Sequence, residues 1–302
     1  MRMTDPSDQP WTRRFRGHRV LQVVGACNVT PLMRRVTLGG PEVVGIPDGS
    51  IIKLIIPPAG VRDDCWPLRG PRGEAIWPPE ERRPAIRTYT VQHLDRARGE
   101  LDVDFVRHGR HGVASSWAER AQPGDPIGIG GPFPLGIGAA DWYLFAGDHT
   151  ALPAITRALE ELPADARGHA FIEVPDRAEE QGLAAPPGVE VTWLHLDGTV
   201  PGASRALIDA ARSVAWPKSG APFVWVGAES RTARAIKAYV RDERGLDRRR
   251  FLIIGYWKSG MSEGEYADAH DHDRGEDYHA VADERNGHDH AHEAAEHGQP
   301  DR

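Results

Sequence analysis

The hydrophobic period of the chain changes near Asp141, and no other feature limits the fold as tightly. Before that point, apolar residues come in short runs, each stopped by glycine or proline. "HRVLQVVGACNVT", "MRRVTLGG", "SIIKLIIPP", "AIRTYTVQHLD", "GELDVDFVRHG" and "PGDPIGIGGP" read as strands. In the fifth, Leu101, Val103 and Phe105 alternate with Asp102 and Asp104, the pattern of a strand with one buried face. Five or six antiparallel strands with one short helix predict a small closed barrel, which removes the problem of unpaired edges. Residues 59–83, rich in proline, glycine and charge, read as a loop.

After Asp141, strands and helices alternate. "DWYLFAGD", "GHAFIEV", "VEVTWLHL", "PFVWVGAE" and "RFLIIGYW" are apolar strands. "TALPAITRALEEL", "GASRALIDAARSV" and "SRTARAIKAYVRDERG" carry helical spacing. This order predicts a parallel sheet flanked by helices. The expected organisation is a flexible N-terminus over 1–16, an antiparallel β-barrel over 17–138, an α/β domain over 139–262 and a disordered tail over 263–302.

The tail follows from composition. Residues 267–302 carry a net charge of −8 out of −7 for the chain, so the rest is close to +1. They also hold 7 of the 14 histidines and few large apolar residues, too few to offset the entropy of ordering. Their mixture of imidazole and carboxylate suits loose binding of Zn, Ni or Cu, without a defined metal site. The body has no basic stripe of the kind that binds nucleic acid. No apolar run reaches the roughly 20 residues of a membrane span, and the start has no apolar signal core. Cys27 and Cys65 do not make a disulfide scaffold. A cytoplasmic monomer is expected.

Chemistry concentrates in "RTYT". On a strand, Arg87 and Tyr89 share one face, and Thr88 and Thr90 share the other. Arginine offers a planar fork to phosphate oxygens, tyrosine a flat apolar face, and threonine a hydroxyl. A polar barrel face explains these four residues equally well. The next segment adds weight to a ligand. "VRHGRHGVASSWAER" ends a strand in a glycine turn and opens a helix, and a helix start is an anion site. A capped helix after a turn is the plainer explanation.

These stretches, with "YLFAGDHTALPAITRALEEL", "FVWVGAESRTARAIKAYV" and "GYWKSG", resemble the siderophore-interacting proteins. These are FAD-dependent ferric-siderophore reductases within the ferredoxin-reductase superfamily. The resemblance implies that Arg87, Tyr89 and Thr90 contact FAD, and that His108, Gly112, Val113, Ala114 and Ser115 surround its pyrophosphate. It places a nicotinamide dinucleotide at the "AGDHTALPA" turn, near Thr150, although no Gly-x-Gly-x-x-Gly pattern is present. Thr150 as a helix N-cap is the simpler reading of that residue. The family usually has glutamate where this chain has His149.

Arg231 and Arg234, at helical spacing, suit the 2′-phosphate of NADPH, slightly favouring it over NADH; Lys237 reads better as a solvated face. Tyr256 and Trp257 end the last strand, where the resemblance puts aromatic residues against the flavin. Lys53 and Lys258 match basic positions that meet the anionic ferric siderophore. A third basic position is replaced by Phe133, and Arg82 and Arg83 are candidates to compensate. The expected reaction passes a hydride from NAD(P)H to flavin and then single electrons to Fe(III), with no catalytic side chain; reduced ferredoxin is an alternative donor. The competing readings are a flavin reductase with another acceptor and a metal-buffering protein acting through its tail. Thr88 has no assigned role.

Overall fold

The structure is a computed structural model and describes residues 17–108, 112–270 and 272. The segments read as a flexible N-terminus (1–16) and as the distal tail (273–302) lie outside the described residues. The first half forms β1 (Arg19–Thr30), β2 (Met33–Gly39), β3 (Ile51–Ile56), β4 (Leu68–Arg69), β5 (Ala75–Ile76), β6 (Ala85–Asp95), β7 (Glu100–Val106), α1 (Val113–Arg120) and β8 (Pro126–Phe133). Six of these strands close a barrel in the order β1-β2-β7-β6-β3-β8, with every neighbouring pair antiparallel.

Strand parity decides what fills the barrel. On β3, Ile52, Leu54 and Ile56 join the barrel core, and Lys53 takes the opposite face. Leu101, Val103 and Phe105 of β7 belong to the same core, as their alternation predicts. The expected loop over 59–83 contains a small hairpin, β4–β5, and a 3₁₀ turn at Glu80–Arg82. Neither carries an apolar period long enough to read from sequence.

The second half contains β9 (Trp142–Asp148), α2 (Leu152–Glu161), β10 (Arg167–Val174), β11 (Gly188–His195), α3 (Ala206–Ser213), β12 (Pro222–Glu229), α4 (Ser230–Ala238) and β13 (Phe251–Trp257). The sheet is parallel, in the order β11-β10-β9-β12-β13. Every residue of β9 is buried, as befits a central strand covered on both faces. Leu152, Ile155 and Leu159 of α2 pack on one face of the sheet. Leu207 and Ile208 of α3 and Ile236 of α4 pack on the other. The third helix is shorter than its sequence period suggests: α4 stops at Ala238, and a π turn runs from Tyr239 to Glu243.

One expectation is corrected at the C-terminus. Residues 263–270, read as the start of a disordered tail, form α5 (Glu263–His270). Tyr266 is fully buried and lies against His272, whose Nδ1 donates to the carbonyl of Gly255 on β13. A single large aromatic anchors a helix whose average composition is polar. Among the described residues, no helix is long and apolar enough to cross a membrane. Both cysteines are free thiols, Cys27 exposed and Cys65 buried.

The two domains meet through apolar packing and a few buried polar contacts. Met33, in the β1–β2 hairpin, belongs to the core cluster of the parallel sheet, and Ile51 and Val106 pack against it. The β6–β7 ladder shifts register between Val91 and His93, and Gln92 there donates to the carbonyl of Pro153 in α2 at 2.7 Å. Ser50 donates to Glu161 at 2.6 Å. Glu179, 1% exposed, accepts from the Thr30 hydroxyl at 2.5 Å and from the Leu32 amide at 2.8 Å. Removing that carboxylate leaves two donors at the interface without their partner. Glu179→Ala is therefore expected to lower stability in urea unfolding by about 2–3 kcal/mol. Glu179→Gln keeps one acceptor oxygen and should lose less.

Candidate active site

Two places bring the chemistry-bearing residues together: a seam in the barrel and the C-terminal edge of the parallel sheet. The seam arises from unequal pairing. Residues 85–90 of β6 pair with β3, but β6 pairs with β7 only from Val91 onward. Beyond that point residues 104–106 of β7 continue with β2. The β6–β7 ladder therefore stops beside "RTYT".

Tyr89 lies opposite Ile52 on the core-side face, and its ring sits 4.5 Å from Phe105 across the seam. Phe105 in turn lies 5.8 Å from Trp117 of α1. This aromatic chain links the middle of α1 to β6. Arg87 shares the Tyr89 face, as strand parity predicts, and its guanidinium donates to the Ile86 carbonyl at 2.7 Å. Thr90 is buried and lies opposite Ile51. Thr88 lies opposite Lys53 on the outer face, and its hydroxyl accepts from the Lys53 ammonium at 2.6 Å. The residue without an assigned role thus orients one of the two expected substrate lysines.

Before α1, His108 lies on the surface and Gly112 stands at the N-cap. Gly112 has φ of 92°, a backbone region costly for any residue with a Cβ. As N-cap it supplies no side-chain acceptor to the first helical amides. Ser115 and Ala114 are buried and Val113 is exposed. Bare backbone, a helix start without a side-chain cap and an arginine at the neighbouring seam suit an anionic dinucleotide.

At the sheet edge the organising group is Asp148, the last residue of β9. Its Oδ1 accepts from the amide and hydroxyl of Thr150, at 3.0 and 2.5 Å. Its Oδ2 accepts from the Glu229 amide and from Trp257 Nε1, both at 2.8 Å. Burial pushes the Asp148 pKa upward, against four donors that favour the anion. The N-cap reading of Thr150 is corrected: α2 has Ala151 at its N-cap, and the Thr150 hydroxyl serves Asp148.

Trp257 reaches Asp148 through an irregularity. Ala228 pairs with Gly255, but Glu229 pairs with Trp257, so the ladder skips Tyr256. Tyr256 is set edge-on to Trp225, 6.1 Å away. Glu229 accepts from the Arg231 amide at the start of α4, and the side chains of Arg231 and Arg234 are exposed. Lys258, just past β13, donates to Nε2 of His270 at 2.7 Å, so α5 contacts the second expected substrate lysine. Phe133 ends β8 with its side chain 41% exposed, opposite Ile51. Arg82 is exposed and lies 3.4 Å from Asp64, while Arg83 is half-buried.

His149 is buried against the domain interface. Its Nε2 lies 3.2 Å from Glu179 but is not aligned for a hydrogen bond.

A closed antiparallel barrel followed by a five-stranded parallel sheet is a fold that this chain shares with the cytochrome b5 reductase domain of Ulva prolifera nitrate reductase, at a TM-score of 0.54 and 12% identity over 80% of this chain and 97% of that one. Residues 22–134 match the siderophore-interacting FAD-binding domain, and residues 140–260 match the siderophore-interacting protein family. The chain belongs to the siderophore-interacting protein family. It is 34% identical to the ferric vibriobactin reductase ViuB of Vibrio cholerae, over 88% of this chain and 96% of the relative. It is 29% identical to the NADPH-dependent ferric-chelate reductase of Escherichia coli, over 81% and 93%. The crystal structure of the siderophore-interacting protein SipS from Aeromonas hydrophila superposes with a TM-score of 0.72 at 33% identity, over 88% and 98%.

His149 also sets a pH response. Burial holds its pKa below the ordinary imidazole value, outweighing the attraction of Glu179. The unfolded chain therefore binds the proton more readily than the folded one, and this residue's contribution to stability falls as pH drops below about 6.5. His149→Gln is expected to flatten the acid side of a melting-temperature profile; an unchanged slope would remove His149 as its source.

Proposed function

We propose that the chain is an FAD-dependent ferric-siderophore reductase drawing on NAD(P)H. The observation that supports the reading is the barrel seam: the β6–β7 ladder stops at Val91, next to Arg87, Tyr89 and Thr90, and Tyr89 is linked through Phe105 to Trp117 of the glycine-capped helix α1. In this reading Tyr89 and Thr90 hold the flavin end of FAD. Arg87 and the turn from His108 through Gly112, Val113, Ala114 and Ser115 hold its phosphates. Held by these residues, FAD would supply the conversion between two-electron hydride acceptance from the nicotinamide and one-electron delivery to ferric iron. The protein's own contribution is position and charge, with no acid or base required of a side chain.

Lys53 and Lys258 meet the anionic ferric siderophore. Thr88 restrains the Lys53 ammonium, and His270 restrains that of Lys258. The exposed ring of Phe133 puts an apolar surface near Lys53, where a third cation is expected from the family. The donor docks at the C-terminal edge of the parallel sheet, near Thr150. Arg231 and Arg234, exposed at the start of α4, favour NADPH over NADH or reduced ferredoxin. Tyr256 lines the flavin side of that edge. The reading places the chain in the cytoplasm as a monomer, without nucleic-acid or membrane partners.

The absorption spectrum of the purified protein is the first test: a colourless protein that takes up no FAD overturns the reading. Two variants then separate its parts. Gly112→Ala forces a Cβ into a positive-φ turn, and we expect about tenfold weaker FAD binding in an equilibrium titration with the fold retained. Lys53→Ala should raise KM for a multiply anionic ferric triscatecholate by about three- to tenfold, an effect that shrinks as salt is added.

A further inference from the structure

Among the described residues, Phe133 is the only aromatic side chain that is exposed; the others are buried or half-buried. Among the described residues, no second ring stacks on it. A single exposed apolar side chain is ordinary, but this one is held in place. Its carbonyl accepts from the Ser50 amide at 3.1 Å, which ties the end of β8 to the turn before β3. Its ring lies back along its own strand: a Cβ at Gly131 would stand 2.9 Å from ring atoms Cδ2 and Cε2. Gly131 has φ of 96°, so glycine suits both the backbone and the bare surface under the ring. The register sets the ring beside Lys53. Phe133 pairs with Ile51 and Gly130 with Lys53, so β8 advances three positions where β3 advances two. Ile51 and Lys53 share one face of β3, two positions and roughly 7 Å apart. Gly130 leaves the Lys53 stem open on the β8 side: a Cβ there would lie 3.6 Å from that of Lys53. The ammonium turns the other way, to Thr88 of β6. The outer face of β3 thus has an aromatic surface on one side and a restrained positive charge on the other.

We propose that Phe133 is a specificity-determining residue of the chelate site: it stacks on an aryl ring of the iron ligand while Lys53 meets the oxygens of that ring. The preferred substrate is therefore a ferric chelate with catecholate or phenolate arms, rather than one built from aliphatic hydroxamates. The inference rests on the reading above that Lys53 faces the chelate, and it adds the chemistry of the arm. An aryl-oxygen arm carries a flat π face and negative charge together, and the β3 face has a partner for each. A ferric trishydroxamate is neutral and has no ring, so it meets neither partner. Stacking also needs little ordering of the protein, because the backbone of Phe133 is already pinned by Ser50.

The test uses the full-length, flavin-loaded protein and its Phe133→Ala, Phe133→Leu and Phe133→Tyr variants, each checked for its flavin spectrum and melting temperature. Oxidation of the photoreduced protein by a ferric triscatecholate and by a ferric trishydroxamate is followed in stopped flow, so the identity of the donor does not enter. Binding of the gallium(III) triscatecholate, which is not reduced, is titrated by fluorescence. We expect Phe133→Ala to weaken gallium triscatecholate binding about five- to tenfold. It should lower the catecholate-to-hydroxamate ratio of second-order rate constants by a similar factor, with the limiting rate changing less. Phe133→Leu, apolar but without a ring, should lose most of the preference, and Phe133→Tyr should keep it. These losses should persist in high salt, unlike that of Lys53→Ala. A ratio unchanged in Phe133→Ala overturns the proposal, as does a Phe133→Leu protein with the wild-type ratio or a wild type that prefers the trishydroxamate. If Phe133→Ala does not fold, the contrast between Leu and Tyr decides. A wild type that reduces neither chelate is a failure of the reductase reading; one that reduces both, with a ratio that no Phe133 variant moves, is a failure of this inference alone.

Discussion

The second domain depends on one buried carboxylate. Asp148 stands at the end of the central strand and gathers an amide from β12, an indole from β13 and two donors from its own turn. A buried anion is tolerable only when its lone pairs are met. Here the donors that meet them come from three strand ends, so the arrangement that solvates the charge also fixes the edge of the sheet. Glu229 extends the same logic outward. Its amide serves Asp148, while its carboxylate holds the first turn of α4 and approaches the amide of Ser259.

The barrel works by the opposite principle. Its useful feature is a place where pairing stops. The β6–β7 ladder covers residues 91–95 and leaves 85–90 to pair on one side only. A seam of this kind would be a liability if it exposed apolar side chains. Instead Tyr89 closes the inner face on Phe105, and the outer face carries the Lys53–Thr88 pair. One strand thus presents an aromatic and cationic face to one side and a hydrogen-bonded lysine to the other, and alternation alone keeps the two chemistries apart.

Much of this was legible in the sequence because it depends on local pattern. The strand over 85–95 is bounded by Pro84 and a charged turn, and the strand over 222–229 is an apolar run entered through Pro222 and left through a helix; both boundaries fall where those signals put them. The parity of Arg87, Thr88, Tyr89 and Thr90 follows from strand geometry. What was not legible is long-range. Thr150 looks like a helix cap until Asp148 is seen to hold its hydroxyl, and Trp257 meets Asp148 across 109 positions of chain. The role of Thr88 depends on register with Lys53, which no single strand reveals. Residues 263–270 read as disordered on composition, because an average cannot show that one tyrosine finds a fully buried seat.

The skipped residue at Tyr256 has a further consequence for how this strand can change. Because the ladder passes from Gly255 to Trp257, two adjacent aromatics serve different neighbours: Tyr256 meets Trp225, and Trp257 meets Asp148. Deleting Tyr256 would erase the irregularity and leave Trp257 opposite Glu229, but without the ring that meets Trp225. Substitution can tune either aromatic by degrees, but a change in length removes one of the two contacts in a single step. In the end of β13, spacing is therefore under stronger constraint than residue identity, so insertions and deletions are expected to be rarer there than conservative aromatic replacements.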